Sequence, residues 1–269
     1  AILRRIDSTL PPIRRMMAAL VLADDLAGYD LRAESVARTG ARILALLAAA
    51  ATMRQPERDA GIAAHLCRTW QPDVFGIERV IDAALILCAD HELNVSAFTA
   101  RIVASAEADP YGVVTAGLAA LQGFKHGGNT ARVEAYLNEV GTSERIASVT
   151  AERLRRGERI PGFGHSLYPN GDPRAKTLLS LLAETYPAAP EMAFVTAAAE
   201  QVAEMIGQQP NVDFGLVALA RAAYLPAGSP LTLFALGRTV GWIGHAIEQY
   251  GSDTLIRPRA RYVGKPPDA

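Results

Sequence analysis

Hydrophobic residues recur along most of this chain at spacings of three and four residues, which is the period of an amphipathic α-helix. The first two such segments are residues 12–27 and 32–53, and both carry arginines on the opposite face. The residues expected to be buried there include Leu20, Leu26, Ile43, Leu44 and Leu47. Alanine, a strong helix former, is frequent, whereas the alternating β-branched runs typical of strands are almost absent. The pattern therefore predicts an all-α fold.

Glycine, proline and short polar stretches divide the rest of the chain into further helical segments. The segment 111–122 is nearly all small or apolar, so its helix should be buried on most faces. The segment 143–156 is charged, as expected of a solvated helix. The further predicted helices are 60–70, 76–89, 111–122, 129–140, 143–156, 173–186, 190–207, 212–223 and 231–250.

Three of these helices begin beside an asparagine or aspartate, residue types that favour the N-cap position. The expected caps are Asn129, Asp172 and Asn211, and Pro173 follows Asp172 at the first helical position, where proline is favoured. Asp213 would be the second residue of its helix, where the helix dipole stabilises a carboxylate and lowers its pKa. We expect that effect to outweigh desolvation as long as the surroundings of Asp213 stay open to water.

The segment Ile160–Arg174 is rich in glycine and proline, so it should form a stiff, irregular loop rather than a core element. It presents His165 and ends with Arg174 in the first turn of the next helix. A guanidinium binds a carboxylate through two parallel hydrogen bonds, and an imidazole can reach a further oxygen. The pair therefore suits a small carboxylate ligand, although an incidental surface loop is the simpler interpretation of this stretch alone.

Composition limits the classes of function. The chain has 269 residues, half of them hydrophobic, and a net charge of −1, so it can bury a large core and has no field that favours nucleic acid or an anionic membrane. Cys67 and Cys88 lie in apolar helical segments and need not pair. No apolar run reaches the length of a membrane span, and the first residues do not form a secretory signal. We expect a cytoplasmic protein, and find no metal cluster, P-loop or dinucleotide-binding motif in the sequence.

Further segments share the character of the 160–174 loop, and together with it they resemble the citrate synthase family. They follow the order and approximate spacing of that family over residues 90–264. A single Gly-His string recurs by chance, but six segments in register form a specific signature. The matching segments are Asp90–Asn94 with Phe98–Arg101, Phe124–Asn129, 162–174, Asn211–Phe214, Arg238–Trp242 and Ile256–Arg259.

The resemblance implies a two-domain, all-α fold. Residues 1–127 and 225–269 would form a large domain, and residues 128–224 a smaller domain that closes over the cleft. In the family, considerably more chain precedes the counterpart of His91 than the ninety residues found here, and residues 1–89 show only helical periodicity. The chain is therefore identified as a short, bacterial-type member whose N-terminal part is missing or replaced.

The resemblance also implies a homodimer. The apolar helix 111–122 would be a dimer contact, and the tail after residue 253 would cross to the second subunit. Arg257 would then reach the active site of that partner. No nucleic-acid or membrane partner is implied.

The activity that the resemblance implies is an acyl transfer in which acetyl-CoA condenses with oxaloacetate to give citrate and coenzyme A. Asp213 would be the base that removes a proton from the acetyl group, and His126, expected to be neutral beside a helix N-terminus, would donate a hydrogen bond to the thioester oxygen. His165 would polarise the carbonyl of oxaloacetate. Acetyl-CoA enters as a co-substrate, and no permanently bound cofactor is implied.

The remaining site residues implied by the resemblance bind the two substrates. His91, Arg174, Arg238 and Arg257 of the neighbouring subunit would hold oxaloacetate, with the arginines on its two carboxylates. The backbone of Gly162, Phe163 and Gly164 would wrap the adenine of coenzyme A. His65 and His245 match no motif of the set and are expected to be surface or capping residues.

One departure from the family pattern concerns coenzyme A. The family usually has basic residues that contact the phosphates where this chain has Ser166 and Pro169. Their loss would weaken acyl-CoA binding without changing the acid–base residues. Two alternatives therefore stay open: a 2-methylcitrate synthase that uses propionyl-CoA, and a weakly active or inactive regulatory protein that binds oxaloacetate or citrate.

Overall fold

The computed structural model describes residues 1–23, 29–57, 59–71, 76–252 and 254–264. Its regular elements in these ranges are helices, and the extended pairing there consists of two isolated bridges, His91 with Leu93 and Phe163 with Pro210. The prediction of an all-α fold is confirmed. The helices are α1 (Pro12–Leu22), α2 (Ala33–Thr52), α3 (Ile62–Trp70), α4 (Ile77–Cys88), α5 (Val95–Ser105), α6 (Pro110–Leu121), α7 (Asn129–Val140), α8 (Ile146–Arg155), α9 (Pro173–Thr185), α10 (Pro190–Ile206), α11 (Val212–Ala222) and α12 (Ser229–Tyr250), with short 3₁₀ helices at Ile2–Arg5 and Ser143–Arg145.

Most predicted boundaries agree with the structure within a few residues. Helix α1 ends at Leu22 rather than at residue 27, and the predicted core residue Leu26 lies outside the described residues. Leu20, Ile43 and Leu47 are buried as predicted, whereas Leu44 is half-buried. Helix α5 was not predicted as an element of its own. Its N-cap is Asn94, whose side chain accepts hydrogen bonds from the backbone of the first turn.

Two of the three predicted N-caps are confirmed. The carboxylate of Asp172 accepts from the backbone N–H of Arg174, and the side chain of Asn211 accepts from the N–H groups of Asp213 and Phe214. The prediction for Asn129 is wrong, because Gly128 occupies the N-cap position of α7 and Asn129 is the first helical residue. The Asn129 amide is therefore available for a contact outside its own helix.

Helix α12 lies at the centre of the structure and packs against α2, α4, α5, α6 and α11. Every residue from 232 to 239 is buried, including the polar residues Thr232, Arg238 and Thr239. A Cβ atom on Gly237 would lie 2.5 Å from the carbonyl oxygen of Leu85, so α4 and α12 approach more closely than a side chain would allow. This close packing holds Arg238, the next residue, in the interior.

Helices α7 to α11 pack mainly on one another, through contacts of α11 with α7, α9 and α10 and of α8 with α7 and α10. They meet the remaining helices where α9 contacts α4 and where α11 and α7 contact α12. The N-termini of α7, α9 and α11 come close to the middle of α12 in this arrangement. The candidate site lies at that junction.

Helix α6 is less enclosed than its sequence predicts. Val113, Val114 and Leu118 are buried, but Tyr111 and Thr115 on other faces remain partly accessible in the single chain. None of the helices in the described ranges combines the length and the apolar character needed to cross a bilayer.

The cysteines and the two histidines outside the motifs have defined environments. Cys67 and Cys88 are free, and burial raises the pKa of the Cys88 thiol to about 12. His65 was expected to be a surface or capping residue, and the surface alternative is wrong: it is buried, with Nε2 2.9 Å from Oγ1 of Thr52, the last residue of α2, and burial lowers its pKa. His245 is half-buried and contacts Asp90 and Arg101.

Candidate active site

A cavity of about 1130 Å³ opens where the N-termini of α7, α9 and α11 meet α12. Nine of the ten residues that the sequence predicts for the site line this cavity, so residues from distant segments of the chain share one chamber. Arg257 is the exception, because it is exposed and lies outside the lining of this cavity. The nine lining residues are His91, His126, Gly162, Phe163, Gly164, His165, Arg174, Asp213 and Arg238.

Asp213 lies in the first turn of α11, and its two carboxylate oxygens have different environments. Oδ2 accepts a hydrogen bond from the Asn129 amide at 2.8 Å. Oδ1 is buried and has no hydrogen-bond partner among the described residues. Burial raises the pKa of Asp213 to about 6, although the Asn129 hydrogen bond and the charge of Arg174 oppose that shift. The condition for a lowered pKa, surroundings open to water, is not met here, and desolvation outweighs the helix dipole.

His126 is held by a polar group behind it. Its Nε2 lies 2.8 Å from Oγ of Ser96, and the same hydroxyl oxygen accepts from Nε1 of Trp242 at 3.2 Å. Burial, together with the positive charge of Arg238, lowers the pKa of His126 to about 4. The imidazole is therefore neutral near pH 7, as predicted, but burial rather than a helix terminus is the main cause.

His91, His165 and Tyr168 form a cluster of rings at one side of the cavity. Nε2 of His91 lies 2.8 Å from the hydroxyl of Tyr168, and the two imidazole rings meet edge to face with centroids 5.3 Å apart. Burial and the nearby Arg174 charge lower the pKa of both histidines. Nδ1 of His165 accepts from the backbone N–H of Leu167 at 3.2 Å, so a neutral His165 carries its proton on Nε2.

Arg174 and Arg238 are buried cations with different partners. Arg174 makes two parallel hydrogen bonds to Asp172, from Nε at 3.0 Å and from Nη2 at 2.8 Å. Arg238 donates from Nε to the carbonyl oxygen of Cys88 at 2.7 Å, and its Nη2 is buried with no hydrogen-bond partner in the described part of the chain. Of these two arginines in the described chain, Arg238 has the buried donor without a partner, Nη2, whereas Asp172 engages Nε and Nη2 of Arg174.

The Gly162–Gly164 loop forms another part of the wall and is fixed by backbone contacts to the segment before α11. Gly164 N–H donates to the carbonyl oxygen of Gln209, and Asn211 N–H donates to that of Gly162, both at 2.8 Å. Gly162 and Gly164 have φ angles of +87° and +76°, which favour glycine. The Phe163 ring is buried against Phe214, so this loop offers mainly its backbone to the cavity.

Three positively charged side chains in the cavity lining are exposed to solvent. Lys125, Arg132 and Arg159 are exposed and line the cavity, as does Ser166. They come from the turn before α7, from α7 and from the segment before the Gly162–Gly164 loop.

Four other residues contact the predicted site residues, and the sequence did not predict these contacts. They are Ser96, Asn129, Tyr168 and Asp172. Asp172 is two residues from Arg174, and an aspartate this close to an arginine is a signal that could have been used. The contacts of Ser96 with His126 and of Asn129 with Asp213 span 30 and 84 residues, so only the tertiary structure reveals them.

The chain is similar to known proteins along most of its length. The family model described as citrate synthase, C-terminal domain, matches residues 1–259. Residues 1–89, which carry no recognised motif, therefore belong to the same family domain rather than to a different module. A citrate synthase of Haloferax volcanii is 34% identical and is aligned over 96% of this chain and 73% of its own length.

Two further relatives have names or titles that state a product or bound ligands. The 2-methylcitrate synthase 1 of Corynebacterium glutamicum is 34% identical over 69% of this chain and 50% of its own length. The citrate synthase of Thermoplasma acidophilum, solved with carboxymethyl coenzyme A and oxaloacetate, superposes with a TM-score of 0.80 and 26% identity, covering all of this chain and 77% of that one. The chain thus spans between half and about three quarters of the length of these proteins.

Proposed function

The chain belongs to the citrate synthase family, and from this premise we propose that its cavity condenses the acyl group of an acyl-CoA with oxaloacetate and then releases coenzyme A. The observation that carries the proposal is the pairing, in one cavity, of a raised-pKa carboxylate with a neutral histidine. A base and a hydrogen-bond donor are the two groups needed to form an enol from a thioester.

The first step is removal of a proton from the carbon next to the thioester. Oδ1 of Asp213 takes the proton, the C–H electrons form a carbon–carbon double bond, and the thioester oxygen gains negative charge. A pKa of about 6 leaves Asp213 mostly ionised at pH 7, yet makes it more basic than an ordinary aspartate. Burial thus gives a stronger base without abolishing its charged form.

His126 stabilises the enol oxygen if its Nδ1 carries the proton. Ser96 can donate its hydroxyl hydrogen either to Oδ1 of Asn94 at 2.9 Å or to Nε2 of His126 at 2.8 Å. Donation to His126 places the imidazole proton on Nδ1, where it can form a hydrogen bond to the substrate. The direction in which the Ser96 hydroxyl donates therefore sets the tautomer of His126.

Oxaloacetate binds on the side of the cavity that carries the histidine cluster. The enol carbon attacks the ketone carbon of oxaloacetate, and the ketone oxygen takes a proton from Nε2 of His165. Arg238, through its buried Nη2, and Arg174 provide positive charge for the carboxylates. A water molecule then attacks the thioester carbonyl, and coenzyme A leaves as the thiol.

Lys125, Arg132 and Arg159 bind the coenzyme A phosphates in this proposal. They supply positive charge at the cavity although Ser166 and Pro169 replace the basic residues usual in the family. Exposed cations of this kind attract phosphates in a salt-dependent manner. The backbone of Gly162, Phe163 and Gly164 contacts the adenine.

The assembly follows the family pattern in the proposal. Residues 128–224 close as a small domain over residues 1–127 and 225–269, and two chains form a homodimer in which Arg257 of one subunit enters the cavity of the other. Exposed apolar side chains on α5, namely Val95, Phe98 and Ile102, and the accessible face of α6 support such a contact.

Propionyl-CoA is the second candidate substrate, because a 2-methylcitrate synthase is among the relatives and Asp213 and His126 would serve both acyl groups. Thiol release with oxaloacetate and either acetyl-CoA or propionyl-CoA tests the function. We expect release that requires oxaloacetate, and the larger kcat/KM identifies the substrate. Calorimetric binding of oxaloacetate without thiol release from either thioester would overturn the enzyme proposal in favour of a regulatory binding protein.

A further inference from the structure

Asn129 and Asp213 are 84 residues apart in sequence and join two helices by a side-chain hydrogen bond in the cavity wall. Nδ2 of Asn129, on the first residue of α7, donates to Oδ2 of Asp213 at 2.8 Å. We infer that Asn129 is a positioning residue that holds the Asp213 carboxylate in one orientation and leaves Oδ1 as the basic oxygen. The inference rests on the proposed function, which makes Asp213 the carbon base.

The Asn129 side chain makes no capping contact within its own helix. Gly128 is the N-cap of α7, and no side chain provides a capping hydrogen bond there. The described side-chain contact of Asn129 is directed to α11, which points to a role at Asp213 rather than in α7.

The chemistry of the pair fixes which atom of the amide faces the carboxylate. An ionised carboxylate only accepts hydrogen bonds, so the NH₂ group of Asn129 must point to Oδ2. With Oδ2 held and Oδ1 without a partner in the described structure, the two oxygens are no longer equivalent. A half-turn of the carboxylate only exchanges the two oxygens, whereas a quarter-turn would break the hydrogen bond. The oxygen without a partner therefore keeps a fixed position.

The other groups around Asp213 do not replace this contact. At the start of α9, Arg174 lowers the pKa of Asp213 and Asp172 raises it. These two residues already form an ion pair with each other. From α4 comes the Cys88 thiol, which is neutral because burial raises its pKa to about 12. Arg238 of α12 shares the cavity and is buried.

The charged side chains at the far end of α11 are engaged with each other. Arg221 pairs with Glu191 of α10 at 2.8 Å and also donates to the Asn138 side chain of α7 at 2.8 Å. Asn138 therefore also joins α7 to α11 through its side chain, as an acceptor and outside the cavity lining. This second bridge offers a matched control, because its loss weakens the contact between the two helices without touching Asp213.

The experiment compares Asn129→Ala and Asn129→Asp with Asn138→Ala. Loss of the hydrogen bond favours the protonated form of Asp213, so the rising, acidic limb of the kcat profile should move to higher pH in Asn129→Ala. A second carboxylate in Asn129→Asp should move it further. We expect kcat at pH 7 to fall by about ten-fold or more, less than the 10²–10⁴ of a missing base, with KM for oxaloacetate unchanged.

The second readout does not depend on catalysis. In protein with ¹³C-labelled aspartate carboxyls, the Asp213 signal, assigned by its absence in Asp213→Asn, should titrate at higher pH in Asn129→Ala than in the parent and in Asn138→Ala. An unchanged titration overturns the positioning role even if the parent is active. If the parent does not condense the substrates but the Asp213 titration still shifts in Asn129→Ala, the proposed function fails. The effect of Asn129 on the Asp213 carboxylate then still stands. An equal loss of rate at all pH values, with no shift of the limb, would also count against the inference.

Discussion

Asp172 and Arg174 form a bidentate ion pair in the wall of the cavity, with Nε–Oδ1 and Nη2–Oδ2 distances of 3.0 and 2.8 Å. Both residues are buried, at 2% and 8% exposure. The Asp172 carboxylate also accepts from the backbone N–H groups of Arg174 and Val212, so it links α9 to α11. Burial opposes its ionisation, but the hydrogen bonds and charge of Arg174 and the backbone donors outweigh burial and lower its pKa.

Asp172→Ala should therefore be strongly destabilising, because it leaves the Arg174 charge buried without its partner and removes a helix cap. We expect the free energy of unfolding in urea at pH 7 to fall by about 3–5 kcal/mol. The exposed pair Glu34–Arg38 provides the control, since Glu34→Ala should cost no more than about 1 kcal/mol. Because the folded-state pKa of Asp172 is lowered, the difference should be present above pH 4 and shrink as the pH falls further. A loss of less than about 1 kcal/mol for Asp172→Ala would contradict a structural role for the pair.

Asp213→Asn should have the opposite effect on stability. The pKa of Asp213 is about 6 in the folded chain against 3.8 for an unperturbed aspartate, so the folded state favours the protonated form. Ionisation thus costs the parent stability as the pH rises from about 4 to about 6. The variant should be more stable than the parent at pH 7, and the two should converge at pH 4. Equal urea midpoints at pH 7 would show that Asp213 is not desolvated.

Oxaloacetate binding should depend more on Arg238 than on Arg174. The buried Nη2 of Arg238 has no partner among the described residues, whereas Arg174 is engaged by Asp172. Arg238→Ala should weaken oxaloacetate binding in calorimetry by at least about 100-fold, as expected for losing a charge-assisted hydrogen bond together with a buried cation. Arg221→Ala, which removes an arginine outside the cavity lining, serves as the control. Binding by Arg238→Ala within two-fold of the parent would rule out its place in the oxaloacetate site.

Acyl-CoA binding should depend on the exposed cations at the cavity. Lys125→Ala and Arg159→Ala are expected to raise KM for the acyl-CoA several-fold at low salt, and the difference from the parent should shrink at 0.5 M salt because exposed charges are screened. Arg155→Ala removes an exposed arginine near Arg159 that does not line the cavity and should leave KM unchanged. A rise in KM that is equal in all three variants would indicate a general effect of net charge.

Local sequence signals predicted most helices and the caps at Asp172 and Asn211, and the family resemblance named nine residues that line the cavity. They did not predict energetics that arise from packing between distant segments. The pKa of Asp213 is raised by burial, which the position of the residue in α11 does not reveal. The burial of His65 was not predicted, because its contact with Thr52 joins α3 to the end of α2. The role of Asn129 was missed for the same reason, since its partner is 84 residues away.

The most direct test of the account is exchange of the acetyl methyl protons of acetyl-CoA with solvent. Proton NMR in D₂O, with a saturating oxaloacetate analogue that lacks the ketone, isolates removal of the proton from the later steps. We predict exchange catalysed by the parent and at least about 10²-fold slower exchange by Asp213→Asn, the lower limit for loss of a positioned base. Exchange by Asp213→Asn at the parent rate would contradict the assignment of Asp213 as the carbon base.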